Sequence, residues 1–185
     1  FADTLREIAQ AHDLLLIADE VQIGNGRSGH LYGYMAYGLQ PDIVTTAKGL
    51  GGGLPIGATM FGTRVAEVFQ PGDHGSTFGG NTTCCAGAVN ILSRIDEALL
   101  EGVRERSAYI FRTLSGCNGI RSVTGMGLML GLDVEKPVRE FAELALQKGV
   151  LVTTAKQKIR LLPALNIPME LLETAVQTLK ECAAE

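Results

Sequence analysis

The chain has little that would tie it to a metal, a membrane or a nucleic acid. Its four cysteines, Cys84, Cys85, Cys117 and Cys182, form no C-x-x-C pair, and no histidine cluster accompanies them. A zinc site or a disulfide framework is therefore not expected, and a reducing, cytoplasmic setting fits better. No run of about 18 continuous apolar residues occurs, so no membrane span is predicted. The uncharged stretch from Gly49 to Thr63 is broken by glycines and by Pro55. Lys plus Arg number 16 against 20 Asp plus Glu, a net charge of −4. That balance removes the electrostatic motive for binding nucleic acid or an anionic membrane. Charged residues make up only 19% of the 185 and apolar residues 46%, which excludes a disordered, collagen-like or coiled-coil chain. The first residue is Phe1, and Phe1 to Asp13 reads as a helix from the middle of a domain. The chain is thus expected to begin part-way through a longer protein, without a signal peptide.

What is abundant is glycine: 23 of 185 residues, about 12% against a usual value of about 7%. Sixteen of the 23 lie between Gly24 and Gly87, so that stretch needs backbone without side chains.

Residues 1 to about 90 hold most of the glycine and three short apolar runs. Leu5, Ile8, Ala9 and His12 follow helical spacing. Leu14 to Ala18 is continuously apolar and ends in Asp19-Glu20. Pro41 to Ala47 is rich in β-branched residues and ends at Lys48, and Ile56 to Gly62 is a third run. Short apolar runs without alternation suit strands buried on both faces of a parallel sheet, so an α/β architecture is expected. Further on, Cys84 to Leu100 and Glu101 to Leu114 read as helices separated near Gly102. Met126 to Val134 reads as a strand, Pro137 to Lys148 as a helix, and Val150 to Thr153 and Ile159 to Leu162 as short strands. A last helix starts near Pro168, with Leu172, Ala175, Val176 and Leu179 as its apolar stripe. These later elements make a small α+β unit. The pentapeptide Val44 to Lys48 recurs as Val152 to Lys156 with unmatched flanks, which offers two candidates for one role.

Asp19 ends an apolar strand, where ligands gather in open α/β sheets, although it could equally cap the following turn. Asp19 and Glu20 are neighbours and point to opposite faces, so only one can face a site; Val21 shares the face of Asp19, and Gln22 lies where the strand enters a loop. Lys48 also ends a strand and is followed by Gly49-Leu50-Gly51-Gly52-Gly53. A partly desolvated lysine has a lowered pKa and can form a Schiff base with an aldehyde. Lys156 is followed by Gln157-Lys158-Ile159, a polar connection that leaves it solvated. The glycine run is not a nucleotide loop: it fits no G-x-G-x-x-G register, and Lys48 precedes the glycines where a P-loop lysine follows them. Gly72 to Asn81 sets Ser76 and Thr77 among glycines just before a helix, which suits an anion such as phosphate. Asp73, His74 and Ser76 are too close in sequence for a catalytic relay. Arg160, between Ile159 and Leu161, either faces solvent on an edge strand or binds a carboxylate in two-point fashion.

Several motifs together, namely Leu16 to Gln22, Gly26 to Gly29 and Pro41 to Gly57, resemble the class III aminotransferases dependent on pyridoxal phosphate. His74 to Asn81, Gly125 to Gly131 and Ile159 to Pro163 are similar to the acetylornithine aminotransferase branch. The resemblance implies the C-terminal part of a fold-type I large domain, a mostly parallel sheet with helices, over residues 1–103, followed by a small α+β domain over 104–185. It implies pyridoxal 5'-phosphate bound by Lys48, which would later move the reacting proton. Asp19 would pair with the pyridine nitrogen, Val21 would pack on the ring, and Gln22 would lie near the phenolic oxygen. Thr77 would bind the phosphate of the neighbouring subunit's cofactor in a homodimer, Ser76 would lie at that subunit's substrate site, and Arg160 would bind a substrate carboxylate. The implied reaction moves the δ-amino group of N-acetylornithine to 2-oxoglutarate, in arginine biosynthesis. Enzymes acting on succinylornithine, ornithine or 4-aminobutyrate share these motifs, and an inert module retaining only packing or dimer contacts is the alternative. Thr82 stands where the family usually has proline. The family's glycine-serine phosphate loop, stacking aromatic and second substrate arginine are not among these residues.

Overall fold

A computed structural model describes all of residues 1–185. The chain divides into two compact units, residues 1–26 with 30–96, and residues 27–29 with 97–185. The boundary expected after residue 103 falls inside a continuous helix, Glu97–Leu114.

The first unit is α/β. Helix α1 (Ala2–Ala11) leads into β1 (Ile17–Asp19), followed by β2 (Ile43–Thr46), β3 (Ala58–Phe61) and α2 (Thr82–Leu92). The sheet order is β1-β2-β3, with β2 in the centre. β1 and β2 are parallel, with Asp19 opposite Thr45, whereas β3 runs antiparallel to β2. This three-stranded part of the sheet thus holds one parallel and one antiparallel pairing, within the α/β architecture expected. Buried Asp42 ties the strand starts together, accepting from the Leu16 amide at 2.8 Å and from Arg64 Nη1 at 3.1 Å. The burial expected for Leu14 to Ala18 is not found: Leu14, Leu15 and Ile17 are each about half exposed, and regular strand begins only at Ile17.

The second unit is a four-stranded sheet, β4 (Ile120–Met126), β5 (Met129–Val134), β6 (Thr153–Ala155) and β7 (Lys158–Leu161), in the order β4-β5-β7-β6, all antiparallel. Helices α3 (Glu97–Leu114), α4 (Val138–Gln147) and α5 (Met169–Ala184) complete it. Alternation along β5 and β7 buries Leu130, Leu132 and Ile159 against Ile110, Phe141 and Val176, the centre of one apolar core. The single strand expected over Met126 to Val134 is a hairpin. Gly127, at φ +54°, takes the first place of its two-residue turn, and an added Cβ would strike the backbone of Arg27 and Ser28. The helix break expected at Gly102 lies instead at residues 93–96, and Gly102 sits within α3. One interior glycine costs about 1 kcal/mol, which an 18-residue helix with four buried positions readily absorbs.

Candidate active site

Parallel pairing of β1 and β2 brings two chemical groups to one edge of the sheet. Asp19 is the last residue of β1, and Lys48 follows two residues after β2 ends at Thr46. Both therefore stand at the carboxyl ends of adjacent parallel strands, where an open α/β sheet presents its ligand crevice. Asp19 Oδ1 accepts from the Val21 amide at 3.1 Å and from Thr45 Oγ1 at 3.4 Å. Turn capping and an exposed carboxylate thus coexist, with Oδ2 open to a ligand. The strand does not continue through Val21: residues 21–28 form turns, so the half-buried Val21 and exposed Gln22 belong to the loop after β1.

Lys48 has a left-handed backbone, φ +48°, and is exposed. The partial desolvation expected for it is not supplied by these residues. The glycines that follow serve internal packing as much as open approach. A Cβ on Gly51 would meet Ile56 Cγ2 at 2.7 Å, and one on Gly52 would meet Ile91 at 2.8 Å; Gly87 of α2 lies against Leu54 and the Gly51 carbonyl.

The remaining expected residues lie apart from this edge in the chain. Ser76 and Thr77 sit in an exposed segment before α2, whose first turn is capped by Asn81 Oδ1 accepting from the Cys84 amide at 3.0 Å. Arg160 lies on β7, an interior strand, so the edge-strand placement does not apply. Its Nε donates to Thr153 Oγ1 at 3.3 Å, and both terminal nitrogens are unengaged. Beside it is an apolar cavity of about 370 Å³ lined in part by Val152, Leu162, Ile167 and Leu172. A larger cavity, about 830 Å³, is bordered by Arg6, Asp13, Asp42 and Arg64 and contains neither Asp19 nor Lys48.

Two buried polar residues, Glu20 and Asn25, support the loop after β1. Glu20, 3% exposed, accepts from the Gly33 and Tyr34 amides, each at 2.8 Å. Burial, then the charge of Glu20, raises the pKa of Tyr34; for Tyr32 burial comes first, then Tyr34 and Glu20. Asn25, 6% exposed, donates through Nδ2 to Thr46 Oγ1 at 3.0 Å and to the Ala47 carbonyl at 3.2 Å. The only sequence signal for it was a non-glycine between Gly24 and Gly26.

An amine and a carboxylate presented together suit an aldehyde cofactor with a basic ring nitrogen, because one can bind the carbonyl and the other the protonated ring. No helix is long and apolar enough to cross a membrane. A family model described as aminotransferase class-III matches residues 1–183. An acetylornithine aminotransferase of Aquifex aeolicus is 44% identical over 182 residues, covering 98% of this chain and 48% of that protein. A succinylornithine transaminase of Photorhabdus laumondii is 43% identical over 177 residues, 90% of this chain and 44% of that one. The solved structure of an amine transaminase from an uncultivated Pseudomonas species, in its pyridoxal-phosphate-bound form, superposes with a TM-score of 0.89 at 34% identity, covering 98% of this chain and 47% of that one. The chain spans about half the length of the curated relatives it matches.

Proposed function

Because the chain belongs to the class III aminotransferase family, we propose that it carries the cofactor lysine of a pyridoxal-phosphate-dependent transaminase. The donor of this transaminase is N-acetylornithine and its acceptor 2-oxoglutarate, a step of arginine biosynthesis. The observation that carries this reading is the placement of Lys48 and Asp19 at the carboxyl ends of the parallel pair β2 and β1. Pyridoxal phosphate supplies an electron sink when bound. The Lys48 amine would hold the cofactor through its aldehyde and would carry the proton at the reacting carbon. The open carboxylate oxygen of Asp19 would accept from the ring nitrogen and keep it protonated. Val21 would pack on the ring face, and Gln22 would lie near the phenolic oxygen. Thr77 holds the phosphate, and Ser76 borders the substrate site, of a second copy in a homodimer; their exposure supports that assignment. Arg160, with two unengaged nitrogens, takes a substrate carboxylate. Residues 1–103, or the first unit, represent the cofactor-binding large domain, and the remainder the small C-terminal domain. Four free cysteines support a cytoplasmic location.

The test is addition of pyridoxal phosphate, a visible absorbance band, borohydride reduction and mapping of the labelled lysine by mass. Label on Lys48 supports the assignment, and label on Lys156 overturns it. Incubation with N-acetylornithine, N-succinylornithine, ornithine or 4-aminobutyrate then ranks the donors by how fast each bleaches the band. A second reading, a module that only packs or dimerises, is favoured by the exposure of Leu14, Leu15 and Ile17; it predicts no band.

A further inference from the structure

Asn25 grips the chain just ahead of Lys48. Its Nδ2 donates to the two residues before the lysine, Thr46 and Ala47. Its Cβ lies 3.6 Å from where a Cβ on Gly49, the residue after, would stand. The amide orientation follows from chemistry, since a backbone carbonyl only accepts and the nitrogen must face it. Thr46 is itself buried and paired with Ala58 of β3, so the tether is anchored in the body of the first unit.

The tether comes with an uncompensated group. Asn25 Oδ1 is buried without a hydrogen-bond partner, a state that buried polar groups ordinarily avoid. Asn25 also has φ +56°, where its neighbours' residue type, glycine, would fit without strain. Glycine would satisfy the backbone and bury no orphan oxygen. What asparagine adds is the pair of donated bonds. We propose that Asn25 is a positioning residue for Lys48, holding the 46–47 backbone so that the left-handed Lys48 directs its amine from the β2 end toward the Asp19 edge. This rests on the reading of Lys48 as the cofactor's amine.

The experiment compares the chain with Asn25→Gly, which keeps the backbone angle but removes both donors, and Asn25→Asp, which sets an acceptor against the Ala47 carbonyl. Without cofactor, an amine-reactive acylating reagent reports the ratio of labelling at Lys48 to that at Lys156, an internal reference with the same four preceding residues. With pyridoxal phosphate, the rate of borohydride-fixed label at Lys48 is the second readout. Loss of about one hydrogen bond's worth of order predicts a change of about fivefold in each readout, with Lys156 unaffected. A purely structural role would lower the melting temperature and leave both readouts within about twofold of the parent, well below that hydrogen-bond scale; that result overturns the proposal. If either variant fails to fold, Thr46→Val removes one of the two acceptors, and an unchanged ratio there is equally decisive. Absence of cofactor label on Lys48 in the parent defeats the functional reading alone, because the acylation ratio does not depend on it.

Discussion

The pentapeptide Val-Thr-Thr-Ala-Lys occurs twice, and its copies share little beyond the backbone angle at the lysine, φ +48° at Lys48 and +54° at Lys156. The first copy forms the central strand of its sheet, with Val44 and Thr46 buried and partners on both sides. The second forms the edge strand β6, paired only with β7, with Thr153 and Thr154 exposed. Lys48 leaves the sheet into a glycine-rich turn gripped by Asn25. Lys156 starts a two-residue hairpin turn in which it alone has positive φ, the sign pattern of a type II′ turn. Five identical residues thus end beside a parallel strand in one place and in a hairpin turn in the other. The difference comes from what lies alongside: a parallel neighbour ending in a carboxylate, against an open edge.

Substitutions can break this contrast. Lys48→Ala is expected to abolish the borohydride-fixed label and to lower amino-group transfer by at least about a thousandfold. Lys156→Ala should leave both unchanged; loss of transfer in the second variant would reverse the assignment. Thr46→Val strands a buried Asn25 donor and should cost about 1–2 kcal/mol in denaturant unfolding. Thr154→Val, on the exposed edge, should stay within about 0.5 kcal/mol, and equal costs would show the two environments to be alike. Lys156→Gly removes left-handed strain and should stabilise by about 0.5–1 kcal/mol, seen as a higher melting temperature. The smallest effect is alkaline. Burial raises the pKa of Tyr32 beside the first copy, so the folded state favours the protonated phenol. That stability is present below a tyrosine's ordinary value of about 10 and is lost as pH rises through the raised value. Tyr32→Phe should therefore flatten the alkaline decline in melting temperature.

The candidate residues are more legible in the sequence than the structure that supports them. Asp19 and Lys48 announce themselves as charged residues that end apolar runs, and a parallel pair necessarily brings such ends to one edge. The mixed sheet was not readable, because β3 carries the same apolar run whichever way it points. Strand β4 was hidden behind Ser122, Thr124 and Gly125, since an exposed antiparallel strand leaves no continuous apolar signal. Glu20 and Asn25 were missed for another reason. Their roles consist of hydrogen bonds to partners 13 to 22 residues away, and composition carries no trace of such partners.

The short segment 27–29 bears on how the molecule is made. It belongs with residues 97–185, where the Leu128 amide donates to the Arg27 carbonyl at 2.9 Å. The Arg27 guanidinium caps the Leu128 and Pro163 carbonyls, and Arg104 Nη1 reaches the Gly29 carbonyl at 2.7 Å. The second unit is therefore not a contiguous stretch of sequence, and no single cut of the backbone separates it whole from the first. A ribosome delivers Arg27 long before its partners, 101 and 136 residues downstream, so these contacts form only after Pro163 has emerged. Closure of the second unit thus waits on residues far downstream of its first segment.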